Sequence, residues 1–293
     1  MEAEIAVVRS FNRTVARVIG ALNDRYLGRE RPLAEARLLF EIGRGGAELR
    51  DIRETLGLDS GYLSRLLRSL EEQGLATTPT SRSDRRVRRV RLTRAGVAEF
   101  KELNRRSDRL AESLLAPLSE RQRGRLVAAM SEIERFLAAA TATIAPEKFN
   151  SAAAQYCLRE YYRELAARFE TGFDPAMSIP VDPADFRLPN GAFLVLRVAG
   201  RPAGCGAFKR LDAEAVYLKR MWIADGMRGL GLGQRMLAAL EESARAHGYR
   251  IAKLETNKTL AEAQALYRRA GYRETAPFNS EPYAHHWFEK QLA

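Results

Sequence analysis

The sequence predicts two domains, a mainly α-helical one followed by an α/β (α+β) one. The chain has 293 residues, which at roughly 150 residues per domain is enough for two. In the first half, apolar residues recur at intervals of three and four, as they do in amphipathic helices. In the second half, strand-like apolar runs alternate with helical segments, which is the pattern of an α/β domain.

The composition is that of a globular chain with an excess of basic residues. Hydrophobic residues make up 46% of the chain and charged residues 29%, which excludes a disordered tail. Lys and Arg number 48 against 37 Asp and Glu, and the net charge of +11 favours a polyanionic partner.

Cys157 and Cys205 match neither a metal-binding nor a disulfide pattern. No apolar run reaches the ~18 residues of a membrane span. We therefore expect a soluble, cytoplasmic protein with no membrane association and no metal site.

The first half is expected to contain helices and one hairpin. The change of apolar period to two after Gly74 predicts the hairpin, and Thr93 and Ser119 are suitable caps for the two helices that follow it. The helices are expected over residues 4–27, 33–42, 47–56, 60–73, from 94 onward and 120–139, and the hairpin strands over 76–80 and 87–92.

Two of these helices form a helix-turn-helix pattern around the turn LDS. The outer side of the second helix is expected to present hydroxyl and guanidinium groups that reach phosphates and base edges in a major groove. An ordinary solvated helix pair is the alternative. The residues concerned are Ser60, Tyr62, Ser64, Arg65 and Arg68.

The hairpin that follows is unusually basic. Its segment SRSDRRVRRVR holds six arginines, among them Arg82, Arg85 and Arg86, around the single acid Asp84. Arginines this close repel one another unless an anion compensates them, and a hairpin tip can insert arginine into a minor groove. A basic tip beside a recognition helix indicates a winged helix-turn-helix domain.

Residues 1 to about 140 resemble the MarR family of winged-helix transcription regulators. The resemblance rests on the order of the elements and on the wing signature at Asp84, Arg86 and Leu92-Thr93. It implies a homodimer built from the first and last long helices and bound to double-stranded DNA at a palindromic operator. Two apolar stripes would form the dimer interface, with an intrachain core as the alternative. They comprise Ile5, Val8, Phe11 and Val15, and Leu126, Met130, Ile133 and Leu137.

The segment AAATATIAPEKFNSAAA, residues 138–154, is small, polar and broken by Pro146, so we place the boundary there. The predicted domains are 1–142 and 150–293. In the second, strands are expected over 192–198, 204–211, 215–223, 251–255 and 285–290, and helices over 152–170, 233–247 and 260–270.

A glycine-rich turn precedes the middle helix of this second domain. Arg228, Gly229, Gly231 and Gly233 follow a strand, and glycines there let backbone N–H groups at a helix N-terminus form a cradle for a pyrophosphate. The spacing GLGLG does not match the dinucleotide fingerprint GxGxxG, and no GK[ST] follows as in a P-loop.

Residues 150–293 resemble the GNAT superfamily of N-acetyltransferases. Arg228, Gly231 and Gly233 match its coenzyme A motif, and Tyr267 with Gly271-Tyr272 matches its late helix. The resemblance implies the GNAT acyltransferase fold and acetyl-CoA as cosubstrate. The expected coenzyme-binding residues are Met221, Trp222, Ile223, Arg228, Gly229, Leu230, Gly231, Leu232, Gly233, Gln234 and Asn257.

The mechanism that the resemblance implies is direct attack of an amine on the acetyl thioester. Backbone N–H groups of residues 221–223 would hold the pantetheine and stabilise the developing oxyanion. Tyr267 would be the general acid, with a core tyrosine as the alternative, and Asn257 could equally be a helix cap. Glu255, at the end of a strand, is our expected general base. The other candidates are Glu214, Glu281, His285 and His286.

The aromatic helix before the glycine-rich turn is expected to roof the acceptor pocket or, alternatively, to pack in the core. Its residues are Tyr161, Tyr162, Phe169 and Phe173. The sequence thus predicts a bifunctional DNA-binding regulator and acetyl-CoA-dependent N-acetyltransferase acting on a primary amine, a small molecule or a protein lysine. In one alternative the second domain senses acetyl-CoA or a ligand without turnover. In another the first domain only dimerises.

Overall fold

The computed structural model describes residues 1–21, 25–43, 45–79, 89–180 and 182–292. The chain divides into two compact units, Met1–Ala129 and Met130–Ala293.

The first unit is mainly helical, with a small antiparallel sheet in the order β1-β3-β2. Its elements are α1 (Glu2–Val18), a 3-10 turn (Tyr26–Gly28), α2 (Leu33–Gly43), β1 (Ala47–Glu48), α3 (Leu49–Leu56), α4 (Ser60–Glu72), β2 (Ala76–Thr77), β3 (Arg89–Leu92) and α5 (Arg94–Leu115). Helix α6 (Glu120–Ala140) includes the point at which the units divide.

Leucines of α2 and α4 form the core of this unit with Val90 of β3 and Leu103 of α5. Helix α4 begins where Asp59 accepts a hydrogen bond from Tyr62 N at 2.8 Å. Thr93 caps α5 as predicted, because its hydroxyl accepts from Gly96 N at 3.0 Å. A Cβ at Gly96 would lie 1.9 Å from the carbonyl oxygen of Leu75, so only glycine lets α5 start this close to the strand.

Three details differ from the expectation. Helix α1 ends at Val18 rather than near residue 27, because Gly20 and Leu27 take left-handed φ values of 66° and 53°. Residues 47–48 pair with β3 instead of opening a helix. Strand β2 ends at Thr77, earlier than predicted, and the hairpin tip at residues 80–88 lies outside the described residues.

The second unit contains a seven-stranded sheet in the order β4-β5-β6-β7-β8-β10-β9. Neighbouring strands are antiparallel except for the parallel pair β7–β8. The elements are β4 (Thr143–Pro146), α7 (Ala152–Arg168), β5 (Gly191–Val198), β6 (Arg201–Arg210), β7 (Ala215–Ile223), α8 (Leu232–Ala246), β8 (Ile251–Thr256), α9 (Ala261–Arg269), β9 (Arg273–Thr275) and β10 (His286–Gln291).

Helices cover both faces of this sheet. Alternate residues of β5 point to opposite faces, so Phe193 and Val195 pack with Cys157 of α7, while Leu194 and Leu196 pack in the cluster that contains α8. Strand β4 lies inside the stretch expected as a linker and pairs with β5. The predicted boundaries, 1–142 and 150–293, leave β4 between the two domains, although its pairing ties it to this sheet.

The parallel strands β7 and β8 separate along their length. They pair only over residues 215–217 and 251–253, after which β7 continues to Ile223 and β8 to Thr256. The register of β7 against β6 shifts between Cys205 and Ala207, and Arg220 in the shifted stretch takes a left-handed φ of 58°. This separation opens a cleft in the sheet. Among the described residues, no helix is both long and apolar enough to cross a membrane.

Candidate functional site

The cleft between β7 and β8 leads into two adjoining cavities of the second unit. The larger has a volume of about 460 Å³ and the smaller about 100 Å³. Both are lined by Met221 of β7, by Tyr161 and Leu165 of α7, and by Tyr267 of α9. A ligand bound in one cavity can therefore contact a ligand bound in the other, and this contact lies next to Tyr267.

Most of the residues predicted to bind a coenzyme line the larger cavity. They are Met221, Trp222, Ile223, Arg228, Gly229, Gly231, Leu232, Gly233 and Gln234. Leu230 belongs to the same turn but does not line the cavity, and Asn257 lines the smaller one instead.

The N-terminus of α8 forms one end of the larger cavity. Gly229 and Gly231 take left-handed φ values of 77° and 75°, a conformation that favours glycine. The first hydrogen bond of α8 runs from Arg235 N to Gly231 O at 3.0 Å. The amides of residues 232–234, which line the cavity, precede this bond and are oriented for an anion. A pyrophosphate fits this arrangement.

The guanidinium of Arg228 has a partner that the sequence did not suggest. Its Nε donates to Ile223 O at 3.0 Å and its Nη2 donates to the carboxylate of Glu164 on α7. Glu164 also accepts from Trp222 Nε1 at 3.0 Å and from Arg168 Nη1 at 3.2 Å. A carboxylate thus lies in the larger cavity against the arginine expected to bind phosphate.

Tyr267 is buried, with 7% of its surface exposed, where the two cavities meet. Its hydroxyl is 4.0 Å from Met221 Sδ. Burial, reinforced by the charge of Glu255, raises the pKa of the phenol, so the hydroxyl keeps its proton at neutral pH. A protonated phenol at this position can serve as a proton donor.

Glu255 lines the smaller cavity at the end of β8. Its carboxylate accepts a hydrogen bond from the Tyr217 hydroxyl, and Lys219 Nζ lies 3.9 Å from Oε1. Burial raises the pKa of Glu255, although Lys219 and the Tyr217 hydrogen bond oppose it. A carboxyl group with a raised pKa is a stronger base than an exposed glutamate.

Of the other candidate bases, only Glu281 lines a cavity, and it is the same one. Glu214 and His285 are exposed, and His286 Nδ1 lies 2.6 Å from Glu274 Oε1 on β9. In the ranges that the structure describes, no cluster of three His, Cys, Asp or Glu residues could hold a metal ion.

The polar groups of Asn257 are engaged in a turn. Its Oδ1 accepts from Thr259 N at 3.0 Å, and its Nδ2 donates to Tyr283 O at 2.8 Å. These bonds fix the segment between β8 and α9 and bring Tyr283 toward the cleft. A coenzyme contact by Asn257 stays a prediction.

Three of the four predicted aromatic residues line the smaller cavity, namely Tyr161, Phe169 and Phe173. Tyr162 does not, because its hydroxyl accepts from Arg220 Nη1. Tyr283, which sequence reasoning missed, joins the aromatic wall with its ring centroid 4.8 Å from that of Phe173.

In the first unit, the structure describes the helix expected to contact DNA but not the whole wing. On α4, Ser60, Ser64, Arg65 and Arg68 are exposed, whereas the leucines of the opposite face are buried. Tyr62 is half-buried, with the Arg65 guanidinium 5.6 Å from its ring centroid. The predicted wing residues lie outside the described residues; they are Arg82, Asp84, Arg85 and Arg86.

Comparison with known proteins gives a match in each half of the chain. A model of the MarR family matches residues 31–87, and a model of the acetyltransferase (GNAT) family matches residues 158–272.

Similarity to curated and solved proteins is partial. An IAA acetyltransferase of Azospirillum brasilense is 40% identical over 92 residues, which are 31% of this chain and 60% of that protein. The uncharacterized N-acetyltransferase YjgM of Escherichia coli K12 is 31% identical over 87 residues, 29% of this chain and 52% of that one. The chain therefore matches little more than half the length of these relatives. A solved GNAT-family acetyltransferase from Staphylococcus aureus MU50 is 19% identical, covers 52% of this chain and 100% of its own, and has a TM-score of 0.45. From these two matches, residues 31–87 belong to a MarR-family region and residues 158–272 to a GNAT-family acetyltransferase domain.

Proposed function

We propose that this chain is a DNA-binding regulator whose second domain transfers an acetyl group from acetyl-CoA to a primary amine. The observation that carries the proposal is the position of the Tyr267 hydroxyl. It lies where a cavity that ends in a helix N-terminus meets a cavity that contains Glu255. An acyl donor in the first cavity and an amine in the second can approach each other at that point.

The larger cavity suits acetyl-CoA, which supplies an acetyl thioester when bound. Amides 232–234 and Arg228 would hold its pyrophosphate, and residues 221–223 on the separated end of β7 would hold its pantetheine. Arg228 must share its guanidinium between Glu164 and the phosphate.

The residues around Tyr267 account for the proton transfers of the reaction. The amine nitrogen forms a bond to the acetyl carbon while the carbon–sulfur bond breaks. Glu255 accepts a proton from the amine, and Tyr267 donates its proton to the departing thiolate. Amides 221–223 stabilise the negative charge that develops on the carbonyl oxygen.

Turnover of acetyl-CoA with a panel of primary amines tests the enzymatic half of the proposal. We expect wild type to release coenzyme A with at least one amine, and Tyr267→Phe to lower kcat about 100-fold, as loss of a general acid does. Tyr156→Phe, a change of an exposed tyrosine on α7, is the control and should leave kcat unchanged. Binding of acetyl-CoA without turnover by any amine would favour a sensor instead.

The exposed face of α4 supports the DNA-binding half of the proposal. Arg65 and Arg68 form no ion pair with any described carboxylate, so both guanidinium groups can contact DNA. We propose that a homodimer places two copies of α4 in successive major grooves of a palindromic operator.

Titration of the dimer with operator fragments at several salt concentrations tests this half. For Arg68→Ala we expect weaker binding and a salt slope reduced by about 1, as for the loss of one phosphate contact. Arg163→Ala removes a 73% exposed arginine from α7 and is the matched control. An unchanged affinity and slope in both Arg65→Ala and Arg68→Ala would remove α4 from the DNA interface.

A further inference from the structure

Glu281, which lines the smaller cavity, has a carboxylate oxygen that no described residue satisfies. Glu281 is 7% exposed and lines the cavity beside Tyr267. Its Oε2 accepts from the Ser178 hydroxyl at 2.8 Å and from Ile179 N at 3.1 Å. Its Oε1 is buried and, among the described residues, has no hydrogen-bond partner. A buried carboxylate oxygen in this state is costly, so a ligand that donates to it gains affinity.

The carboxylates of Glu281 and Glu255 share one nearby ammonium. Lys219 Nζ lies 3.7 Å from Glu281 and 3.9 Å from Glu255, so a single ammonium faces two carboxylates. Arg220 also lines the cavity, and its guanidinium lies over the rings of Tyr162 and Phe186, which do not line it. The two carboxylates therefore share the Lys219 ammonium and can accept a further cationic donor.

Much of the remaining wall is aromatic or aliphatic, and Ser178, Thr256 and Asn257 add polar groups to it. Phe169, Phe173 and Tyr283 pack with ring centroids 4.8 to 5.8 Å apart. Aromatic faces attract a cation as well as an apolar body. The volume is about 100 Å³, which favours a short apolar group beside the ammonium.

We propose that Glu281 binds the ammonium of a small apolar monoamine, and that the acceptor site thereby discriminates against α-amino acids. The inference rests on the proposed acetyl transfer and specifies its acceptor. An α-carboxylate would lie next to Glu255 and Glu281, and the ammonium of Lys219 is already shared between them. Before attack the bound ammonium releases one proton to solvent, so Glu255 remains free to accept the second proton as the nitrogen–carbon bond forms, and Glu281 stays the anion that recognises the substrate.

A matched pair of acceptors tests the proposal. Isoamylamine has the side chain and amine of leucine without the carboxylate. We expect wild type to show a kcat/KM about 100-fold higher for isoamylamine, since placing like charges together costs several kcal/mol. Equal use of leucine would overturn the proposal.

The variant Glu281→Gln removes the charge while its amide oxygen can still accept from Ser178 and Ile179. We expect this variant to have a KM for isoamylamine about 30-fold above that of wild type and a kcat within about threefold of the wild-type value. The ratio of kcat/KM for isoamylamine to that for leucine should also fall. Glu242→Gln, a change of a 76% exposed glutamate on α8, should alter neither. An unchanged KM in Glu281→Gln would exclude the recognition role.

A binding measurement separates this proposal from acetyl transfer itself. If wild type acetylates no amine, calorimetric titration of isoamylamine into the coenzyme A complex still decides the role of Glu281. Weaker binding by Glu281→Gln than by Glu242→Gln supports it, and equal binding contradicts it.

Thermal unfolding shows whether each variant is folded. If Glu281→Gln does not fold, Glu281→Asp replaces it, because the shorter side chain keeps the negative charge but moves it away from the bound amine. We expect Glu281→Asp to raise KM as well; an unchanged KM would overturn the proposal.

Discussion

Glu255 has the surroundings that a general base needs near neutral pH. Burial keeps its pKa above the ordinary value of 4.5 despite the nearby ammonium of Lys219. The base acts only when it is unprotonated, so kcat/KM should rise with pH through that raised pKa. We expect this acid limb in wild type, and we expect Glu255→Gln to lose it together with about 100-fold in kcat. A pH–rate profile checks both; an acid limb that survives in Glu255→Gln would assign the base to another group.

Glu164 makes the coenzyme cavity less favourable for anions than its glycine-rich turn suggests. Its carboxylate contacts Arg228 and accepts from Trp222, 64 and 58 positions away in the chain. Glu164→Gln keeps an oxygen acceptor for both donors but removes the negative charge. We expect coenzyme A to bind roughly fivefold more tightly, as for loss of a partly exposed charge interaction of about 1 kcal/mol.

Equilibrium titration with coenzyme A measures the effect, with Glu160→Gln, one turn earlier on α7, as the control. Glu160 pairs with Arg163 and does not line either cavity. Weaker binding by Glu164→Gln would mean that the carboxylate serves to hold Arg228 in place.

The residues of the site differ in how far the sequence could predict them. The glycines and Arg228 belong to one local motif, and a helix N-terminus binds anions through its own backbone, so spacing alone was informative. The partners of Glu281 lie 102 and 103 positions away, on a segment with no motif. Contacts of this kind depend on how the sheet brings distant loops together, which periodicity cannot reveal.

At the level of elements, α5 is held to the first unit by a buried ionic cluster. Glu99 accepts from Arg29 at 2.6 Å and from Arg31 at 3.0 Å, and Arg31 also reaches Glu35 on α2 at 3.3 Å. We expect Glu99→Gln to lower the free energy of unfolding by about 3 kcal/mol at neutral pH, because it removes the buried carboxylate that Arg29 and Arg31 share.

The pH dependence of stability should report the same cluster. Burial opposes ionisation of Glu99, but hydrogen bonds from Arg29 and Arg31 hold its pKa below 4.5. Its stabilisation is therefore complete above the pKa of the unfolded chain and is lost as pH falls through the lower folded pKa. Denaturant unfolding between pH 3 and 7 measures this, with exposed Glu112→Gln as the control. If both variants unfold alike at neutral pH, the cluster contributes little.

Long periodic elements were predictable and short paired ones were not. Helices α7, α8 and α9 and strands β5 to β8 lie within a few residues of their expected positions because each carries a full apolar repeat. Strands β1 and β4 have two and four residues, and they are strands because β3 and β5 offer them hydrogen-bonding edges. Such partners are set by tertiary structure rather than by local composition.

At the level of the whole molecule, α1 carries an apolar face that its own unit does not cover. No residue of α1 is buried, and Ile5, Val8, Phe11 and Val15 are exposed at helical spacing. The intrachain core, the alternative to a dimer interface, therefore does not account for this stripe. An uncovered apolar stripe of this length is typical of an association surface.

We expect the chain to be a homodimer with twice its mass of 32.9 kDa, and Phe11→Glu to shift it toward the monomer, because an interfacial carboxylate must be desolvated. Light scattering coupled to size exclusion measures the mass. Met177→Glu changes another exposed apolar residue, 63% exposed and outside α1, and should leave the dimer intact.

Because a palindromic site is bound by two linked copies, Phe11→Glu should also weaken operator binding far more than it weakens binding to a single half-site. A dimer that persists in Phe11→Glu would place the interface on another surface of the chain.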